Sequence, residues 1–111
     1  MDIQEQRQGA VTVVKPIGPL VLADAEQFRA HLNEVMSRCL GRFVIDASAV
    51  PYVDSPGLEA LASVTDDLSA GGRALRMCGA GETLREVLDL TGLGGRFEFY
   101  EDATTAVRSF L

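Results

Sequence analysis

The stretch Phe43-Val44-Ile45-Asp46-Ala47-Ser48-Ala49-Val50-Pro51-Tyr52-Val53-Asp54-Ser55-Pro56-Gly57-Leu58 decides how the rest of the chain is read. It opens on three consecutive apolar residues and closes them with Asp46. A short run of that kind between helical segments fits a strand buried in a parallel sheet. A loop from Ala47 to Val53 follows, and Asp54-Ser55-Pro56-Gly57 delivers the chain to a helix. Pro56 suits a first helical position, because its missing N–H would be an orphan there in any case. On that reading Ser55 is the N-cap, with its hydroxyl aimed at the free N–H groups of the first turn. Gly57 removes a side chain from that turn and leaves the backbone approachable. From Leu58 the apolar residues Leu58, Leu61, Ala62 and Leu68 face one way, with Val64 nearby, and Gly71-Gly72 ends the helix.

Upstream of this stretch, Ile3 to Ile17 alternates and is rich in β-formers, with Gly9 marking a hairpin turn or bulge. Gly18-Pro19 punctuates the chain. Asp24 then acts as N-cap or first-turn acid of a helix whose stripe is Phe28, Leu32, Val35, Met36 and Cys39, ending at Gly41. Downstream, Ala74 to Cys78 reads as a strand and Gly79-Ala80-Gly81 as a turn. A helix bearing Leu84, Val87 and Leu88 ends near Gly92, and Phe97 to Tyr100 makes a last strand. Asp102 caps a closing helix with Ala106, Val107 and Phe110. Strands alternating with helices predict one α/β domain over residues 1–111, a mixed central sheet with about four flanking helices.

The length of 111 residues leaves room for one core. Sixteen Asp and Glu against ten Lys and Arg give a net charge of −6. That balance argues against sequence-independent nucleic-acid binding, which needs clustered cations, and against an anionic membrane surface. The longest apolar run is far below the roughly 20 residues that span a bilayer, so no direct membrane insertion is expected. Cys39 and Cys78 sit among apolar neighbours with no secretory signal before them. The expectation is a cytoplasmic protein with reduced, buried thiols. Neither cysteine has a second Cys or His at ligand spacing, so neither a metal nor a cofactor is expected. The charge is uneven: Phe43 to Gly72 holds five acids (Asp46, Asp54, Glu59, Asp66, Asp67) and no Lys, Arg or His.

Catalytic readings of these residues fail. A phosphorylated-aspartate receiver needs a late lysine, and the one lysine is Lys15. Ser55 lacks the Gly-x-Ser-x-Gly frame of a hydrolase elbow, and His31 lies mid-helix. Gly79-Ala80-Gly81 has Leu84 where a dinucleotide turn needs its third glycine, and no phosphate-binding loop with Gly-Lys-Ser/Thr exists. Asp66 and Asp67 are consecutive on a helix and diverge, which suits a solvated helix end better than a cation site.

The segment Val44 to Leu58, with its Asp54-Ser55-Pro56-Gly57-Leu58 ending, resembles the signature of the STAS domain, the fold of bacterial anti-sigma-factor antagonists. Gly18-Pro19-Leu20, Leu88-Asp89-Leu90-Thr91-Gly92-Leu93 and the closing acidic strand and helix extend the resemblance over almost the whole chain. The resemblance implies a non-enzymatic protein that binds an anti-sigma factor which is also a GHKL-type serine kinase. It implies phosphorylation of Ser55 by that kinase, which ends binding, and resetting by a PP2C-type phosphatase. Carried onto this chain, Asp54 is the motif partner of the acceptor. Pro56, Gly57 and Leu58 complete the recognition surface, with Tyr52 as an apolar contact and Asp24 as the acid nearest the kinase-binding position. Two positions depart from the family pattern: Pro56 stands where Ser or Thr is usual, and Val21 where an acid often follows Gly-x-Leu. Both departures suit an alternative, a non-switching STAS module that serves as scaffold or subunit of a larger assembly such as a lipid-transport system. Physics at Ser55 is compatible with the switch. A helix N-terminus tolerates a phosphate, which would add about −1.5 to −2 charge to the acidic window.

Overall fold

The computed structural model describes residues Met1 to Leu111. Two strands, β1 (Asp2–Gln8) and β2 (Val11–Ile17), form an antiparallel hairpin whose turn is Gly9-Ala10, with Gly9 at φ +65°. Then α1 (Leu22–Cys39), β3 (Phe43–Asp46), α2 (Ser55–Ala70), β4 (Leu75–Cys78), α3 (Glu82–Leu90), a 3₁₀ turn at Gly94–Arg96, β5 (Phe97–Tyr100) and α4 (Ala103–Arg108) follow. The sheet order is β1-β2-β3-β4-β5, and every pairing after the hairpin is parallel. The mixed sheet with four helices is the architecture the alternation of patterns predicts.

Strand order that never reverses puts successive crossover helices on one face when all share one hand. The packing agrees. Phe43, Ile45, Leu75, Met77 and Val14 point into a core with Phe28, Leu32 and Val35 of α1, Leu61, Val64 and Leu68 of α2, and Leu84 and Leu88 of α3. The alternate strand residues, Val11, Val44 and Cys78, face the other way and are covered by Ala106 and the rest of α4. The period-two alternation within Phe43-Val44-Ile45 thus serves two layers at once. α1 ends as its glycine suggests, with Leu40 in the left-handed region (φ +53°) and Gly41 beyond it (φ +81°).

Three local expectations change. α2 begins at Ser55, three residues before its apolar stripe starts. Asp24 lies in the first turn of α1 but is not its cap: the cap position is Val21, which makes no side-chain bond. Cys78 is buried as expected, whereas Cys39 is only partly so, because it sits in the last turn of α1 at the end of the sheet; both are free thiols.

A candidate interaction site at the start of α2

Two loops leave the same end of the sheet, one after β2 and one after β3. Backbone hydrogen bonds lace them together. Gly18 N–H donates to Ala49 O at 3.0 Å, Leu20 N–H to Tyr52 O at 3.2 Å, and Asp54 N–H to Leu20 O at 3.2 Å. Leu20 and Val53 form an isolated parallel bridge. The start of α2 is therefore held against the start of α1.

Asp54 completes that link and corrects the capping assignment. It is Asp54, not Ser55, that caps α2: its Oδ1 accepts from Gly57 N–H at 3.0 Å. Its Oδ2 accepts from Leu22 N–H, the first residue of α1, at 3.1 Å. One carboxylate thus satisfies orphan donors of two helices and sits at the positive ends of both dipoles. Leu22 is in the left-handed region (φ +50°), uncommon for a leucine, and that conformation accompanies its N–H bond to Asp54. Gly57 has an equally specific reason. A Cβ there would lie 2.2 Å from Leu20 O and 3.2 Å from the Val53 Cβ, so only glycine permits the approach of α2 to the Leu20 backbone.

With Asp54 as cap, Ser55 takes the first helical position and Pro56 the second. Both are exposed, and the Ser55 hydroxyl has no partner within the chain. Tyr52 is 52 % exposed and Leu22 71 % exposed, so apolar side chains flank the serine on both loops. A shallow groove of about 160 Å³ runs between the two helices, lined by Leu22, Glu26, Arg29, Pro56 and Glu59. Gly57 is buried and Leu58 half-buried against the core, so those two shape the site from inside. Asp24 lies with its Oδ1 3.6 Å from the Met1 amino group. Tyr52, Ser55 and Pro56 are thereby the exposed members of the predicted set, while Asp54, Gly57 and Leu58 position them.

The acidic window becomes less uniform once folded. Asp46 Oδ1 accepts from Ser48 N–H at 3.0 Å, and Asp54 is occupied by the two helix ends. Arg96 binds Asp66 at 2.6 Å, and Arg29 of α1, paired to Glu26 at 2.9 Å, enters the groove beside Glu59. Glu59, one turn after Ser55 on the outer face of α2, remains the exposed acid nearest the serine along the helix. The sequence reading missed Arg29, Arg96 and Leu22, because each arrives from a distant segment.

Comparison with known proteins places this architecture. The STAS domain family model matches residues 2–106. No curated protein sequence matches the chain. Among solved structures, an anti-sigma factor antagonist from Mycobacterium paratuberculosis is similar at 24 % identity and a TM-score of 0.82, over 97 % of this chain and 92 % of that one. SpoIIAA of Bacillus, an anti-sigma factor antagonist solved in unphosphorylated and phosphorylated forms, is similar in the unphosphorylated form at 19 % identity and a TM-score of 0.75, over 98 % and 96 %. A sulfate transporter family protein from Wolinella succinogenes is similar at 18 % identity and a TM-score of 0.77, over 92 % and 85 %. No helix is long and apolar enough to cross a membrane. With the family model covering nearly all of its length and the same fold in these structures, the chain belongs to the STAS domain family.

Proposed function

We propose that the chain is an anti-sigma-factor antagonist of the cytoplasm, acting as a single domain without catalysis of its own, and that phosphorylation of Ser55 switches it off. The observation that carries this reading is the division of labour at the start of α2. Asp54 makes the cap bonds, which leaves the Ser55 hydroxyl exposed and unpartnered at the first helical position. A phosphate there lies at the positive end of a 16-residue helix, beside the Ser55 N–H, the one first-turn donor that Asp54 does not take, so the domain keeps its fold. The partner is a GHKL-type serine kinase that is itself the anti-sigma factor, and a PP2C-type phosphatase removes the phosphate. Tyr52, Pro56 and Leu22 give the docking surface its apolar contacts. Glu26, Glu59 and Asp24 give it negative charge, so the partner presents Arg or Lys opposite Ser55. Phosphate adds bulk and like charge at the centre of that contact.

Mass spectrometry of the protein isolated from its native host, under growth and under starvation, tests this reading. A phosphate on Ser55 that rises and falls with condition supports it. Persistent absence of modification, with a partner bound equally by wild type and Ser55→Asp, refutes it. That outcome favours a non-switching STAS module, the reading that Val21, Pro56 and the likeness to a sulfate transporter family protein support.

A further inference from the structure

The end of the sheet opposite Ser55 carries a groove of about 590 Å³, where the β1–β2 turn, the last turn of α1 and the start of β3 meet. Arg7, Arg38 and Arg42 line it, with Thr12 and Cys39 inward and Glu5 as its one carboxylate. Three guanidinium groups on one concavity are notable in a chain with a net charge of −6. Their pairing differs. Arg38 is committed, with Nη2 2.8 Å from Glu5 Oε1 and Nε 3.7 Å from Glu34. His31 Nε2 also lies 2.7 Å from that same Glu5 oxygen, so both contacts fall on Oε1 and the Glu5 charge is offset by Arg38. Arg7 donates only through Nε, to Gly9 O at 3.3 Å, so both terminal nitrogens are free. The Arg42 side chain has neither a hydrogen bond nor an ion pair, although Arg29, Arg76 and Arg96 elsewhere each face a carboxylate.

The groove lies at the negative end of α1, where part of the carbonyl charge is offset: Met36 O accepts from Gly41 N–H, Cys39 O from Arg42 N–H, and Leu40 O from Arg73. Against Glu5 and that helix end, the three guanidinium groups keep the groove net positive. The buried Thr12 hydroxyl lies 3.0 Å from Cys39 Sγ, giving a polar floor. Leu40, 72 % exposed, borders the opening and offers an apolar contact.

We propose that this groove binds a small phosphate-bearing dianion, held by the free forks of Arg7 and Arg42. Each guanidinium fork can donate two parallel N–H bonds to a pair of oxygens of a tetrahedral dianion, which a lysine cannot, and two forks match its two charges. The inference is independent of the role given to Ser55, which lies beyond the other end of β3.

The test is titration of the full chain, followed by amide chemical shifts, with inorganic phosphate and pyrophosphate against sodium chloride of equal ionic strength. Saturable shifts confined to residues 7–12 and 39–43 are expected. Arg7→Gln with Arg42→Gln weakens binding by at least about tenfold, the loss of one or more charge-assisted contacts. Arg42→Lys, which keeps the charge and loses the fork, falls between, and Arg108→Gln on α4 leaves the affinity unchanged. Absence of saturable shifts, shifts spread over all arginines, or undiminished affinity in the double variant overturns the proposal.

Discussion

Replacing Asp54 separates the two helix ends it joins. In Asp54→Ala both charge-assisted bonds are lost, to Gly57 N–H at 3.0 Å and Leu22 N–H at 3.1 Å. Loss of a helix N-cap costs about 0.5–2 kcal/mol, and a hydrogen bond to a charged group is worth about 1.5–3 kcal/mol. Asp54 is half-exposed, so water replaces part of each bond, and a total of about 2–4 kcal/mol is expected. An unfolding entropy of about 2.1 cal/mol/K per residue puts each kcal/mol at roughly 4 °C for a domain of this size. Asp54→Ala then melts about 9–17 °C below wild type. Asp54→Asn keeps one acceptor and turns an NH₂ toward one of the two donors, so it falls part-way. Ser55→Ala, which removes a hydroxyl without a partner, stays within about 0.5 kcal/mol of wild type. Thermal unfolding followed by circular dichroism reads all three. A Ser55→Ala loss as large as that of Asp54→Ala would refute the assignment of the cap.

Other perturbations test other joints of the same structure. Gly57→Ala places a Cβ 2.2 Å from Leu20 O, so the lacing of the two loops must open, and we expect a loss of at least about 2 kcal/mol in urea unfolding. Burial, with Asp46 and Asp102 nearby, pushes the Cys78 thiol up to about 11. A maleimide at pH 8 should therefore label Cys39 and spare Cys78 in the folded chain, which peptide mapping checks. Burial alone would raise the Glu5 carboxyl, but hydrogen bonds from Arg38 and His31 outweigh it and hold it below 4.5. Its contribution is thus present above the unfolded value and is lost as pH falls through the folded one. Glu5→Gln should flatten the fall in melting temperature between about pH 5 and pH 3, and an unchanged slope would count against the cluster.

Much of this molecule is readable along the chain, and the parts that are not share a physical cause. Phe43-Val44-Ile45 announces a buried strand because its residues serve both faces of the sheet. The stripe from Phe28 to Cys39, Gly41, and the Asp102 cap, which accepts from Thr105 N–H at 2.7 Å, are local matters of periodicity and end chemistry. The choice between Asp54 and Ser55 as cap is not local, since both residues cap well. Leu22 N–H, 32 residues earlier, gives the carboxylate a second donor that a single hydroxyl could not also serve. Gly57 signalled backbone approach, but the group that approaches is the Leu20 carbonyl. The acidic window was legible as composition; Arg29 and Arg96 join it only through packing. The groove of Arg7, Arg38 and Arg42 draws on three separate segments and leaves no motif.

The central claim is that Ser55 can carry a phosphate without disturbing the fold and that the phosphate ends partner binding. Its most direct measurement compares the chain phosphorylated at Ser55 with the unmodified chain, in melting temperature and in affinity for the anti-sigma factor captured from the native host. The account predicts melting temperatures within about 2 °C and an affinity lower by at least about tenfold, roughly 1.4 kcal/mol at the contact. Equal affinities, or a phosphorylated chain that unfolds before it fails to bind, would contradict it.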